Sequence, residues 1–209
     1  MLYNQNMPTK HVVKPYAAPA FYHVYNRASG ERPLFRDRQD REYFLHLLQR
    51  HLAEIERPAD EEAMPKYPVE IVAYCLMGSH FHLLLFQAEE KDAITGYMRS
   101  VSTAYAMYYN RRYKSKGHVF QSSYRASHIT TEPYLAHITR YIHLNPRRYE
   151  AWQWSSYREY IGCRESIWIH PERVLAGKNS AEKYSLFVAD YADVDRRLQR
   201  ADITSQLAI

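Results

Sequence analysis

Met77-Gly78-Ser79-His80-Phe81-His82-Leu83-Leu84-Leu85-Phe86 is a short apolar run, rich in leucine and aromatic residues and entered through a Gly-Ser pair. That pattern reads as a β-strand leaving a tight turn. Side chains alternate faces along a strand, so His80 and His82 project from the same side, their bases roughly 6–7 Å apart. Two neutral imidazole nitrogens can hold a divalent metal there and leave other coordination positions open. The same residues also suit a half-buried strand that merely carries two histidines. On the motif alone both readings stand.

Outward from this strand the chain resolves into alternating elements. Val69 to Leu76 is a second apolar strand, and Gly78-Ser79 joins the two as a hairpin. Upstream, Phe21-Tyr22-His23-Val24-Tyr25 alternates as a first strand and ends in the turn-rich Ala28-Ser29-Gly30-Glu31-Arg32-Pro33. Asp37 caps a helix from about Arg38 to Glu56, with Phe44, Leu47, Leu48, Leu52 and Ile55 on one face. Downstream, Asp92 caps a helix to about Tyr113, with Ile94, Met98, Val101, Tyr105 and Tyr108 at spacings of three and four. Gly117 closes a basic loop, and His118 to Ser127 reads as a fourth strand.

The order strand-helix-strand-strand-helix-strand is the split βαβ, ferredoxin-like pattern. It predicts an α+β fold: a four-stranded antiparallel sheet with two helices on one face and the other face open to a ligand or a further helix. A third helix follows. Thr131 caps it, Glu132 and Pro133 suit its first turn, and Pro146 stops it near Asn145. Leu135, Ile138 and Ile142 form its apolar stripe, with Tyr134, Tyr141 and Asn145 along one edge. Arg140, His143 and Arg147 point elsewhere. Trp152 to Tyr157 reads as an aromatic clamp onto the core, and Ala181 to Gln199 holds a last helix. The chain thus divides into an N-terminal arm (1–19), a main domain (20–162) and a C-terminal helical extension (163–209).

Composition narrows the classes. The chain has 209 residues, of which 46% are hydrophobic, and its mean hydropathy is −0.59; it is long enough for one sizeable core. No apolar run approaches the ~20 residues that span a bilayer, and Met1 to Pro19 lacks a secretion-signal layout, so a cytoplasmic protein without a membrane partner is expected. Two cysteines, Cys75 and Cys163, imply no disulfide framework or zinc ribbon. The net charge of +5 is unevenly placed. Between Ala93 and Thr131 there is no Asp or Glu, while Arg99, Arg111, Arg112, Lys114, Lys116 and Arg125 are all present. Such a stretch suits a polyanion, and 20 tyrosines offer rings for stacking on unpaired bases.

Tyr141 and Asn145 lie one helical turn apart. A tyrosine hydroxyl, with a pKa of about 10, is a poor nucleophile at neutral pH. It becomes useful where a metal activates the electrophile, and a nearby amide oxygen can serve as a metal ligand beside two imidazoles. Equally, Tyr141 fits the edge of a core and Asn145 the end of a helix.

Two segments, Leu76 to Leu85 and Tyr141-Ile142-His143-Leu144-Asn145-Pro146, resemble the two signatures of the single-tyrosine HUH transposases, a family that includes insertion-sequence and REP-associated enzymes. Phe21 to Arg27 with Leu34-Phe35, and Gly117 to Tyr124, resemble its opening strand and its strand before the catalytic helix. The likeness covers about 140 residues in the right order, from Ala20 to Gly162. It implies that His80, His82 and Asn145 bind Mg²⁺ or Mn²⁺ and that Tyr141 attacks a DNA phosphodiester. The product would be a 5′-phosphotyrosine link and a free 3′-hydroxyl. It also implies a single-stranded, hairpin-bearing DNA substrate and a possible homodimer. The six basic residues named above are candidates for DNA backbone contacts, by charge rather than by motif. Ser79 stands where the family most often has Asn, a change expected to affect the turn and not the ligands. A non-catalytic nucleic-acid binder on the same sheet and a metallohydrolase using a metal-bound water are the rival readings. The survival together of both histidines, the tyrosine and the amide favours the strand transferase.

Overall fold

In the computed structural model, residues 16–56, 64–89, 91–175 and 180–192 are described. Strands β1 (Ala20–Arg27), β2 (Val69–Leu76), β3 (His80–Gln87) and β4 (Arg125–Ile129) form one sheet in the order β2-β3-β1-β4, with every neighbouring pair antiparallel. Helix α1 (Arg38–Arg50) links β1 to β2, and α2 (Ala93–Arg112) links β3 to β4. This is the expected ferredoxin-like topology.

Alternation along the central strands divides the core in two. Val24, Phe81, Leu83 and Leu85 face α1 and α2, meeting Phe44, Leu47 and Leu48 of the first and Ile94, Met98, Val101 and Tyr105 of the second. On the opposite face Cys75, Leu84, Phe86 and Ile129 pack against Leu135, Ile138 and Ile142 of α3 (Glu132–Leu144). Full burial of each such aliphatic side chain contributes about 1.5–3 kcal/mol.

The second face, expected to be open to a ligand or a further helix, is covered by α3 and by more. Besides α3 it carries Tyr157 and Tyr160 of a one-turn helix, α4 (Tyr157–Tyr160), and Tyr184 and Val188 of a helix over 180–192, α5. The reason is the apolar content of that face, which Leu84 and Phe86 would otherwise expose to water. The segment after α3 also covers the outer edge of β2. Leu76 N donates to Trp154 O (2.8 Å), Ser156 N to Tyr74 O (3.0 Å) and His170 N to Ile71 O (3.0 Å). An unpaired edge strand would otherwise be left as a template for association. Trp152 Nε1 donates to Leu76 O, 3.2 Å away, as expected of a clamp.

Two element boundaries differ from expectation. Helix α1 stops at Arg50, six residues early, because the chain turns to pair with the segment before β2: Tyr67 N donates to His51 O (2.9 Å) and Ala53 N to Tyr67 O (3.0 Å). The fourth strand begins at Arg125 rather than His118. Residues 118–121 instead bond to the chain leaving β1, through Ser29 N to Val119 O (2.9 Å) and Gln121 N to Arg27 O (3.0 Å). Of the expected N-terminal arm, residues 1–15 lie outside the described residues; Tyr16 is buried, its ring edge-on to Tyr22. The last helix is described to residue 192, and the rest of its expected span lies outside the described residues.

Candidate active site

The hairpin loop between β2 and β3 is tied down at its carbonyls. Gly78 O accepts from Leu34 N (2.9 Å) and Phe35 N (3.0 Å), and Ser79 O accepts from Ala28 N (2.8 Å). This fixes where β3 begins and hence where its histidines point. In the sheet register His80 lies opposite Arg27, His82 opposite Tyr25, and Leu84 opposite His23, so His23, Tyr25, Arg27, His80 and His82 share the face covered by α3.

Helix α3 brings the other two groups. Thr131 caps it, accepting from Tyr134 N (3.4 Å), and the Leu135–Ile138–Ile142 stripe fixes its rotation against the sheet. Asn145, at its C-terminal end, places Oδ1 3.0 Å from His80 Nε2. An amide oxygen only accepts, so Nε2 carries the proton there and His80 Nδ1 accepts from the Ser79 hydroxyl at 3.0 Å. The Ser79 side chain thus does more than shape the turn, contrary to expectation. Tyr141 stands edge-on to the His82 ring, centroids 5.4 Å apart, and to His23 at 6.0 Å. It is 46% exposed, and no described residue hydrogen-bonds to its hydroxyl.

His82 is only 5% exposed and His23 7%. Burial, with the neighbouring His23 and His80, pushes the His82 pKa down to about 2, and burial pushes that of His23 down to about 4. Both rings are therefore neutral at neutral pH, the state in which imidazole donates a lone pair to a metal. His82 Nδ1 is engaged by His23 Nε2 at 2.9 Å.

Do these residues suit a divalent cation? Neighbouring ligands of an octahedral ion at about 2.1 Å stand about 3.0 Å apart, which is the His80–Asn145 separation. No group of three or more His, Cys, Asp or Glu among the described residues could hold a metal. Two imidazoles and an amide oxygen leave a partial shell, of the kind an ion that keeps several waters or substrate oxygens accepts.

The structure thus brings His80, His82, Tyr141 and Asn145 together. Tyr134, on the same helix edge, is 38% exposed but lies two turns away, about 10 Å along the axis. The basic residues are dispersed. Arg125, on β4 opposite Tyr25, shares the site face. Arg111, Lys114 and Lys116 are exposed near the end of α2, and Asn110 Nδ2 donates to Gly117 O there (3.1 Å). Arg99 is exposed on α2, about 18 Å along the helix axis from Arg111. Arg112 departs from the expectation of a free phosphate contact. It forks onto Asp37 (2.6 and 2.9 Å) and reaches buried Asp40 (2.5 Å). The Arg112 hydrogen bond holds the Asp37 carboxyl below its usual range.

Two site residues were not singled out from the sequence. Alternation puts His23 and Arg27 on one face of β1, but only the register with β3 shows which face. Arg27 lies exposed beside His80, with Nε donating to Gln121 Oε1.

A family model described as IS200-like transposase matches residues 22–145, more than half of the chain and a span holding all four convergent residues. This chain belongs to the IS200-like transposase family. The fold of this transposase is also that of a solved REP-associated tyrosine transposase bound to a REP hairpin. The two share 14% identity with a TM-score of 0.55, over 76% of this chain and 95% of that one. No curated protein matches the chain. Among the described residues of this IS200-like transposase, no helix is long and apolar enough to cross a membrane.

Proposed function

We propose that this IS200-like transposase cuts and rejoins single-stranded DNA through a covalent tyrosine intermediate, with His80, His82 and Asn145 holding Mg²⁺ or Mn²⁺. The observation that carries the reading is the approach of Asn145 Oδ1 to His80 Nε2 at 3.0 Å, with Tyr141 edge-on to His82.

The Tyr141 oxygen forms a bond to phosphorus and the bond from phosphorus to the 3′ oxygen breaks. The phenol proton is lost, and the departing 3′ oxygen takes up a proton to become a hydroxyl. A 3′-hydroxyl attacking the phosphotyrosine reverses the exchange, so no bond energy is lost and no ATP is consumed. A bound cation supplies Lewis-acid polarisation of the scissile phosphate and offsets its charge. His80 and His82 contribute neutral nitrogens on a rigid strand, and α3 supplies both the nucleophile and the third ligand, so one docking interface sets their relative position.

A hairpin-bearing single strand is the proposed substrate, in line with the hairpin named for the solved relative. Arg125 and Arg27, on the site face, are the first candidates to contact its phosphates, with Arg111, Lys114 and Lys116 beyond them.

The test is incubation with hairpin-bearing single-stranded DNA and Mg²⁺ or Mn²⁺, followed by denaturing electrophoresis. A protein–DNA adduct is expected in wild type and not in Tyr141→Phe, which still binds DNA. Binding to the chain's own flanking DNA with neither adduct nor cleavage would leave a non-catalytic binder. Cleavage that persists in Tyr141→Phe would indicate hydrolysis by a metal-bound water.

A further inference from the structure

We infer that His23 is a positioning residue for the metal site, holding His82 in the tautomer and orientation that present Nε2 to a cation. The inference rests on the proposed roles of His80 and His82 and extends them to a residue outside the family's two signatures.

Each histidine of the pair has its Nδ1 occupied by a group of this chain. Ser79 Oγ takes that of His80 at 3.0 Å, and His23 Nε2 takes that of His82 at 2.9 Å. A ring that coordinates through Nε2 must carry its proton on Nδ1. For His82 that proton is donated to His23 Nε2, which leaves the His23 proton on its own Nδ1. The nitrogen that His23 turns towards the pair is thereby used, so His23 supports a ligand rather than being one.

The two supports differ in kind. Ser79 is exposed and its hydroxyl rotates freely, so it can donate to His80 Nδ1 while Asn145 takes the Nε2 proton, and accept once a cation replaces that proton. His23 is buried between the sheet and α3, stacked on Tyr25 at 5.1 Å and on His82 at 5.1 Å. Its orientation is set by packing, and it imposes one orientation on His82. Without it, the Nδ1–H of His82 would be buried and unpaired, which favours a turned ring or the tautomer with its proton on Nε2. Either takes the coordinating lone pair away. Outer partners of metal-ligating histidines characteristically change metal affinity by about 10–100-fold.

The experiment is Mn²⁺ titration of the metal-free protein, followed by the electron paramagnetic resonance signal of free Mn²⁺. Wild type is compared with His23→Leu, His23→Asn and His23→Gln, and with His82→Ala as the ligand-loss reference. Gln can set an oxygen where the His23 Nε2 stands; Asn is too short and Leu has no acceptor. Expected is a fall in Mn²⁺ affinity of about 10–100-fold for Leu and Asn, with Gln close to wild type. Leu and Asn should melt somewhat lower, because the buried His82 Nδ1–H loses its acceptor, whereas hairpin-DNA binding in EDTA, measured well below the melting temperature, should stay at the wild-type level in the His23 variants. Wild-type affinity in both Leu and Asn would overturn the inference while leaving the metal site intact. So would a loss in Gln as large as that in Leu. If wild type itself takes up no Mn²⁺, the reading of His80 and His82 as ligands falls, and the role of His23 with it.

Discussion

Arg112 and Arg125 illustrate why charge alone does not mark a DNA contact. Both come from the stretch without acidic residues, yet Arg112 is spent on Asp37 and Asp40, whereas Arg125 is exposed on the site face. Asp40 is fully buried and also accepts from Tyr108 (3.0 Å), Tyr113 (2.8 Å) and Arg36 N (2.8 Å). Replacing Arg112 with Gln should cost about 1–3 kcal/mol in denaturant unfolding, since a buried carboxylate loses a charged donor, while hairpin affinity stays unchanged. Arg125→Ala should do the reverse. Stability should not change, and the slope of log affinity against log salt should shrink by about 0.7, the value for one single-strand phosphate no longer neutralised. The same scale explains what could be read beforehand. His80 and His82 are two residues apart, and period-two alternation is enough to pair them. His23 lies 59 residues from His82 and Asp37 75 from Arg112, partners that only the folded chain brings together.

Among the elements, α3 bears the most. Its N-terminus was legible because caps are local chemistry, and Thr131 does accept from Tyr134 N. The boundaries of β4 were not, because a strand ends where its partner stops pairing. What holds α3 in place was missed for the same reason. His143, fully buried in it, is joined through Nδ1 to the Tyr184 hydroxyl (2.7 Å) on α5 and through Nε2 to Ser156 Oγ (2.9 Å). Ser156 Oγ in turn accepts from Tyr74 N on β2 (2.8 Å). Burial lowers the His143 pKa to about 3, so it serves here as a neutral linker. The C-terminal segment, from which no role could be read, thus helps seat the helix that carries Tyr141 and Asn145. Tyr184→Phe should destabilise the fold by about 1–3 kcal/mol, because His143 Nδ1 is left buried without a partner. Thermal melting measures this directly.

For the molecule as a whole, the C-terminal segment is clasped to the rest by groups that titrate. His170 lies between Glu54 (3.0 Å) and Glu172 (2.8 Å). Burial acts to lower its pKa, but the hydrogen bonds and charges of the two carboxylates outweigh burial and raise it above the ordinary 6.5. The stabilisation is therefore complete below about pH 6.5 and lost as pH rises through the raised folded value. The melting temperature of wild type should fall relative to that of His170→Gln as pH is raised through that window, and the difference between the two should be constant below it.

Helix α3 rests on β2 and β3 of its own chain, so in the proposed reaction Tyr141 would act beside the His80 and His82 of the same copy. The kinetic order follows. Single-turnover adduct formation with saturating DNA should be first order, with a rate constant that does not fall on dilution of the protein. A mixture of Tyr141→Phe and His80→Ala, each inactive alone, should stay inactive, since neither copy can lend the other its missing half.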